Sequence, residues 1–131
     1  MIAVLDASAA AEIIFERGKA DAFLTLLDGC EEVLVPELYL AEIANVLWKH
    51  RCAGEIDDHG VRVGFDRASV LSDRIVSHLD LMADAVNEAL VHRHSVYDVL
   101  YAVLARRSGA TLVTCDKALK TLARKMGVET A

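Results

Sequence analysis

Proline occurs once in 131 residues, as Pro36, and glycine only seven times, so no Pro- or Gly-rich stretch is available to link separate domains. Cysteine is scarce as well. Cys30, Cys52 and Cys115 are odd in number, widely spaced and without a CxxC pair. That pattern argues against a zinc site or a disulfide framework and reads as reduced thiols of a cytoplasmic protein. No apolar run reaches the roughly 20 residues of a membrane span. The opening residues, Met1-Ile2-Ala3-Val4-Leu5-Asp6, have no basic segment and meet an acid at once, which is not the pattern of a signal peptide. A glycine-rich phosphate loop and a dinucleotide fingerprint are both missing, and no G-x-S-x-G elbow surrounds Ser8. ATP, NAD and serine-hydrolase chemistry therefore find no support.

Hydrophobic residues make up 54% of the chain, ample for the core of one domain of this length. The net charge of −6 argues against a protein that coats nucleic acid indiscriminately. That charge is uneven. Residues 1–98 carry 18 acids against 8 Lys and Arg, whereas residues 99–131 carry 2 acids against 6. The basic end is either solvated helix surface or a local seat for a polyanion.

Short apolar runs alternate with helical patterns. Ile2 to Leu5 predicts a strand, followed by a helix to Phe15 and a second over Gly18 to Leu27. Glu32 to Val35 predicts a strand stopped by Pro36, and a strong helix runs from Glu37 to about Cys52. A polar helix over Asp57 to Ala68, a strand over Arg74 to Ser77 and a helix capped by Asp80 and running to His92 come next. A helix then opens on Ser95 and ends near Gly109. Thr111 to Thr114 predicts a fourth strand, Asp116 opens a basic helix to Met126, and Val128 to Thr130 adds a final strand. The alternation predicts one α/β domain over residues 1–131, with three α/β/α layers around a mainly parallel sheet of four to five strands.

In such a sheet, ligands gather at the carboxyl ends of the strands. Asp6 ends the first predicted strand and Asp116 follows the fourth. Asp98 lies three residues after Ser95, at capping-box spacing. Each has an ordinary reading as a helix cap worth about 1 kcal/mol. Glu42 has none, because between Leu38 and Trp48 only Glu42 and Asn45 are polar. A carboxylate in that run needs either a basic partner or a metal. Carboxylates converging on one edge without His or Cys suit Mg²⁺ or Mn²⁺, and such ions serve above all in phosphodiester cleavage by water.

Four segments, VLDASA (4–9), ELYLAEIANVLWK (37–49), HSVYDVLYAVLA (94–105) and LVTCDKAL (112–119), give the whole chain a strong similarity to known proteins. It resembles the PIN-domain ribonucleases, especially the VapC toxins of toxin–antitoxin pairs. The resemblance implies that Asp6, Glu42, Asp98 and Asp116 are the catalytic, metal-binding acids. It also implies that Ser8, Thr114 and Asn45 support them. It further implies a Mg²⁺ or Mn²⁺ cofactor, an RNA substrate (tRNA, rRNA or mRNA), a homodimer and an inhibitory antitoxin. Cys115 and Val99 depart from the small residues more usual at those places, and neither departure removes a ligand.

Lys117, Lys120 and Arg106 are candidates for RNA phosphate contacts, and each also reads as solvated surface. His92 and His94, two apart, make a poor metal pair and read as helix-end residues. Tyr97 and Tyr101 read as core or dimer contacts, and Trp48 as core or interface. The competing readings are a PIN fold that only binds, which the four acids oppose, and a receiver-like signalling domain. Receivers carry paired acids after the first strand, whereas Asp6 is followed by Ala7 and Ser8.

Overall fold

The computed structural model describes all of residues 1–131. Four parallel strands, β1 (Ile2–Leu5), β2 (Glu32–Pro36), β3 (Arg74–Val76) and β4 (Thr111–Val113), lie in the order β3-β2-β1-β4. Val4 pairs with Leu34 on one side and with Leu112 on the other. Seven helices connect and follow them: α1 (Ala7–Ile14), α2 (Ala20–Asp28), α3 (Leu38–Cys52), α4 (Asp58–Ser69), α5 (Met82–His92), α6 (Val96–Ser108) and α7 (Lys117–Lys125). None is long and apolar enough to cross a membrane.

Chain direction explains the layers. From β1 the chain moves outward to β2 and β3, then returns across the sheet to place β4 on the free side of β1. Right-handed crossovers running in opposite senses lie on opposite faces. Accordingly α1 packs with α2, α3 and α4, while α6 packs with α5 and α7. The strand order reverses between β1 and β4, the place where open α/β sheets form their crevice.

Helix α6 is the central support. Val99 through Ala105 are buried without interruption, and the helix packs on β1, β2 and β4. A helix buried all round cannot rotate, so the acid in its first turn is held firmly.

The expected fifth strand is reduced to one parallel bridge between Thr130 and Leu112. Three backbone bonds, from the Leu112 amide to Glu129, from the Ala131 amide to Leu112 and from the Thr114 amide to Ala131, hold this tail to β4. Asp80 does not cap α5. It belongs to a single 3-10 turn, His78–Asp80, and α5 starts after Leu81 without a side-chain cap. Trp48 is not core either, being 59% exposed on α3.

Candidate active site

The four predicted acids all come from the carboxyl edge of the sheet. Asp6 follows β1, and Asp116 follows β4 after Thr114 and Cys115. Glu42 lies in the second turn of α3, which leaves β2. Asp98 sits in the first turn of α6, which starts at this edge because it leads back into β4.

Capping accounts for only one of them. Asp116 Oδ1 accepts from the amides of Ala118 and Leu119 (2.8 and 3.1 Å) and so caps α7. Asp6 occupies the N-cap position of α1, and Ser95 that of α6, without a side-chain cap bond in either case. The capping box expected between Ser95 and Asp98 is therefore absent. The Asp98 carboxylate lies instead beside the His94 imidazole, with Oδ2 3.7 Å from Nδ1.

Asp6 is buried and held by two hydroxyls. Ser8 Oγ and Thr114 Oγ1 both donate to its Oδ2, the latter at 2.6 Å. Each hydroxyl then accepts an amide from the loop after β4, Cys115 onto Ser8 (2.9 Å) and Asp116 onto Thr114 (3.0 Å). A hydroxyl has one proton to give and lone pairs to receive, so the small polar residues relay the loop amides onto Asp6. Thr114 is fully buried. Asn45, by contrast, is exposed one turn beyond Glu42 and makes no side-chain hydrogen bond.

Glu42 is half-buried, and Oε1 accepts from the Tyr101 hydroxyl at 2.7 Å. Asp6, Glu42 and Asp116 have no basic partner, and Asp98 has only His94. Burial pushes the Glu42 carboxyl up to about 7, with the charges of Asp6 and Asp98 adding to the rise and the Tyr101 bond opposing it. Asp98 is raised by burial and then by the charges of Asp116 and Asp6. Asp6 is raised by burial against the pull of its two hydroxyls. These carboxylates repel one another across one edge.

No three Asp, Glu, His or Cys side chains converge on a single point as a finished metal cage. The donor chemistry nonetheless fits a hard divalent cation. The oxygens carry no Lys or Arg, and Asp6, Glu42 and Asp116 each have one oxygen anchored by the protein and a second without a side-chain partner.

Tyr101 is core and His94 lies at a helix end, as their sequence context suggested, and both also reach this site. Tyr101 is three residues after Asp98 and shares its face of α6. His94 lies before α6 begins and reaches Asp98 from the turn that leads into the helix. A buried phenol also needs an acceptor. Among the cations, Lys117 and Lys120 have no acidic partner. Arg106 donates to Glu88 at 2.8 Å, eight residues along α6 from Asp98 and so roughly 12 Å away along the axis.

A family model described as the PIN domain matches residues 3–125. Ribonuclease VapC3 of Pyrobaculum aerophilum is 29% identical over 125 residues, covering 88% of this chain and 90% of that protein. Among solved structures, PAE2754 from Pyrobaculum aerophilum superposes with a TM-score of 0.78 at 22% identity, over 99% of this chain and 83% of that one. VapBC2 from Rickettsia felis, bound to a DNA fragment from its promoter, superposes with a TM-score of 0.72 at 18% identity, over 100% and 98%. At these identities the two structures speak for the fold alone.

Proposed function

The chain belongs to the PIN-domain family, and from that premise we propose that it is a VapC-type toxin. It acts as a metal-dependent endoribonuclease that hydrolyses RNA phosphodiester bonds with water and is restrained by a cognate antitoxin. One observation carries the reading: four carboxylates stand at one sheet edge without a Lys or Arg among them, and Glu42 and Asp98, raised first by burial, are raised further by the charges of neighbouring acids. Structural acids are paired, whereas acids arranged to repel need a cation. The 29% identical Ribonuclease VapC3 supports RNA as the substrate.

Asp6, Glu42, Asp98 and Asp116 would hold Mg²⁺ or Mn²⁺. When bound, the ion supplies an activated water and neutralises charge on the phosphate. The protein's part is positioning. Ser8 and Thr114 fix the Asp6 rotamer, Tyr101 fixes Glu42, and the cap bonds to α7 fix Asp116. Lys117 and Lys120 contact neighbouring phosphates, whereas Arg106 is committed to Glu88. Residues 1–131 work as one PIN domain, in the cytoplasm, where three unpaired thiols remain reduced.

Two apolar surfaces support partners. Met82, Val86 and Leu90 form an exposed strip along α5, with Leu79 one turn before it. A strip on one convex helix suits the self-complementary contact of a homodimer. The groove between α3 and α4, lined by Ala44, Val61 and Phe65, is concave and suits a segment of a different chain, the antitoxin.

The test is purified protein, free of any partner, incubated with total RNA and a tRNA panel in Mg²⁺, Mn²⁺ or EDTA. Asp6→Asn and Asp98→Asn are run in parallel. Discrete cleavage that needs the metal and disappears in both folded variants is the expected result. Cleavage that survives EDTA or either substitution would overturn the assignment.

A further inference from the structure

A cavity of about 240 Å³ opens beside the acids, between α7 and the junction of α5 with α6. Its α7 wall is Ala118, Thr121, Leu122 and Lys125, at helical spacing on one face of the helix that Asp116 caps. The opposite wall is His92 and His94. His94 joins the cavity to the catalytic edge, since its Nδ1 lies 3.7 Å from Asp98 Oδ2. That Nδ1 is also the one buried side-chain nitrogen or oxygen in the chain without a hydrogen-bond partner.

The lining has a mixed character. Ala118 and Leu122 offer an apolar floor, the two imidazoles offer flat aromatic faces, and Lys125 offers a cation. Lys117, Lys120, Arg124 and Lys125 are in no ion pair, so α7 keeps its whole positive charge. Glu88, the nearest acid on α5, is already engaged by Arg106 and by His92. Thr121 Oγ1 donates to the Lys117 carbonyl at 3.0 Å and keeps its lone pairs for a donor on a ligand. A bare phosphate, which only accepts, would leave the apolar floor and the threonine acceptor unused. An unstacked RNA base uses all of them, because bases stack on imidazole and are read along their polar edges.

We propose that this cavity is a base-selecting subsite, which takes the base of one nucleotide flanking the scissile phosphate. It stacks that base among His92, His94 and Leu122, and Lys125 meets the adjoining backbone. The inference rests on the ribonuclease reading for its biological meaning, and its binding test does not.

The test has two arms. Isotope-labelled protein in Mg²⁺ is titrated with AMP, CMP, GMP and UMP, and with ribose 5-phosphate as the base-free control, while amide and imidazole resonances are followed by NMR. Signals of His92, His94, Ala118 and Thr121 should move with at least one nucleotide, with affinity about tenfold or more above the control. Ala118→Phe and Thr121→Trp, which fill the cavity from exposed positions, should abolish that difference. In the second arm, a randomised single-stranded RNA is digested and its ends are sequenced. Preference for one base beside the cut should fall about tenfold in either variant while cleavage continues.

Equal binding of ribose 5-phosphate, or a base preference unchanged in both variants, would overturn the subsite. Cleavage without any base-dependent shift would overturn it and leave the nuclease standing. Base-dependent shifts that the variants abolish, in a protein that cuts no RNA with any metal, would uphold the cavity and overturn the nuclease.

Discussion

The Tyr101 hydroxyl donates to Glu42 Oε1 at 2.7 Å, tying the buried helix α6 to the exposed-edged helix α3 at the point where both carry an acid. Tyr101 has no solvent exposure, so this bond is its only outlet. It is also the one contact that favours the charged form of Glu42 against burial and two neighbouring carboxylates. Tyr101→Phe should lower stability by about 1 kcal/mol, the typical cost of an unmade buried bond. It should also weaken Mg²⁺ binding at pH 7, because Glu42 then holds its proton more tightly. Urea unfolding and calorimetry measure both, and an unchanged Mg²⁺ affinity would show that the bond serves packing alone.

The same carboxylate sets a pH dependence. Glu42 rises from an ordinary 4.5 to about 7, so between those values the native state binds more protons than the unfolded chain. Metal-free stability should therefore fall as pH rises through that window and level off above it. Asp6 and Asp98 are raised too and act in the same direction. Mg²⁺ should reverse the trend, with binding that weakens as pH drops below 7 and releases protons when it occurs. Melting temperatures at pH 5, 6, 7 and 8, with and without Mg²⁺, would test this. A metal-free melting point that climbs across the window would refute the sign.

Thr114 supports two acids at once, donating to Asp6 and accepting the Asp116 amide. Thr114→Val keeps the shape and removes both bonds, with an expected loss of about 1–3 kcal/mol. RNA cleavage should fall about 10- to 100-fold, the usual effect of losing a group that orients a metal ligand. Thr114→Ser should restore both quantities. Failure of the serine to rescue would assign the effect to packing.

Substitutions of Asp98 and of Asp116 should differ in stability, although either should abolish cleavage. Asp116→Ala removes the cap of α7 and should cost about 1 kcal/mol, whereas Asp116→Asn retains a capping residue. Asp98→Asn removes no cap and relieves repulsion with Asp116 and Asp6, so its melting temperature should match or exceed the parent's. A marked loss of stability in Asp98→Asn would mean that this acid has a structural bond after all.

The α5 strip predicts an assembly. Val86→Glu with Leu90→Glu places two charges on an already exposed face, so the fold should survive while the dimer dissociates. Light scattering should read a dimer for the parent and a monomer for the double variant. A parent that is itself monomeric would remove the premise.

The acids themselves were visible in the linear chain, because their signal is local. Glu42 stood out as a charge inside an apolar helical run, and Asp6 and Asp116 as acids directly after short β-prone segments. The capping alternatives were not resolvable there. Ser95 and Asp98 have the spacing of a capping box, and only the fold shows that the carboxylate has the His94 imidazole beside it instead. Trp48 reads as core or interface by pattern and is not core, since periodicity gives the face of a helix but not which face another element covers. Lys117 directly follows Asp116 and reads as the cation nearest the site, whereas Arg106 is one more basic candidate of α6. That Arg106 is committed elsewhere is visible only in the fold, which puts Glu88 beside it.

What the sequence by itself determined is the alternation of strands and helices and the set of carboxylates brought to the strand ends. Both follow from short-range physics: apolar periodicity, β-prone runs and the short strand-to-helix connections that leave Asp6 and Asp116 at the sheet's edge. The tertiary structure decided which oxygen of each acid is held and which is left, and which cations remain unpaired. Those outcomes depend on partners far away in the chain, 59 residues from Glu42 to Tyr101 and 108 from Asp6 to Thr114. Burial and hydrogen bonding set the charge of a carboxylate, and both are properties of what the fold packs around it.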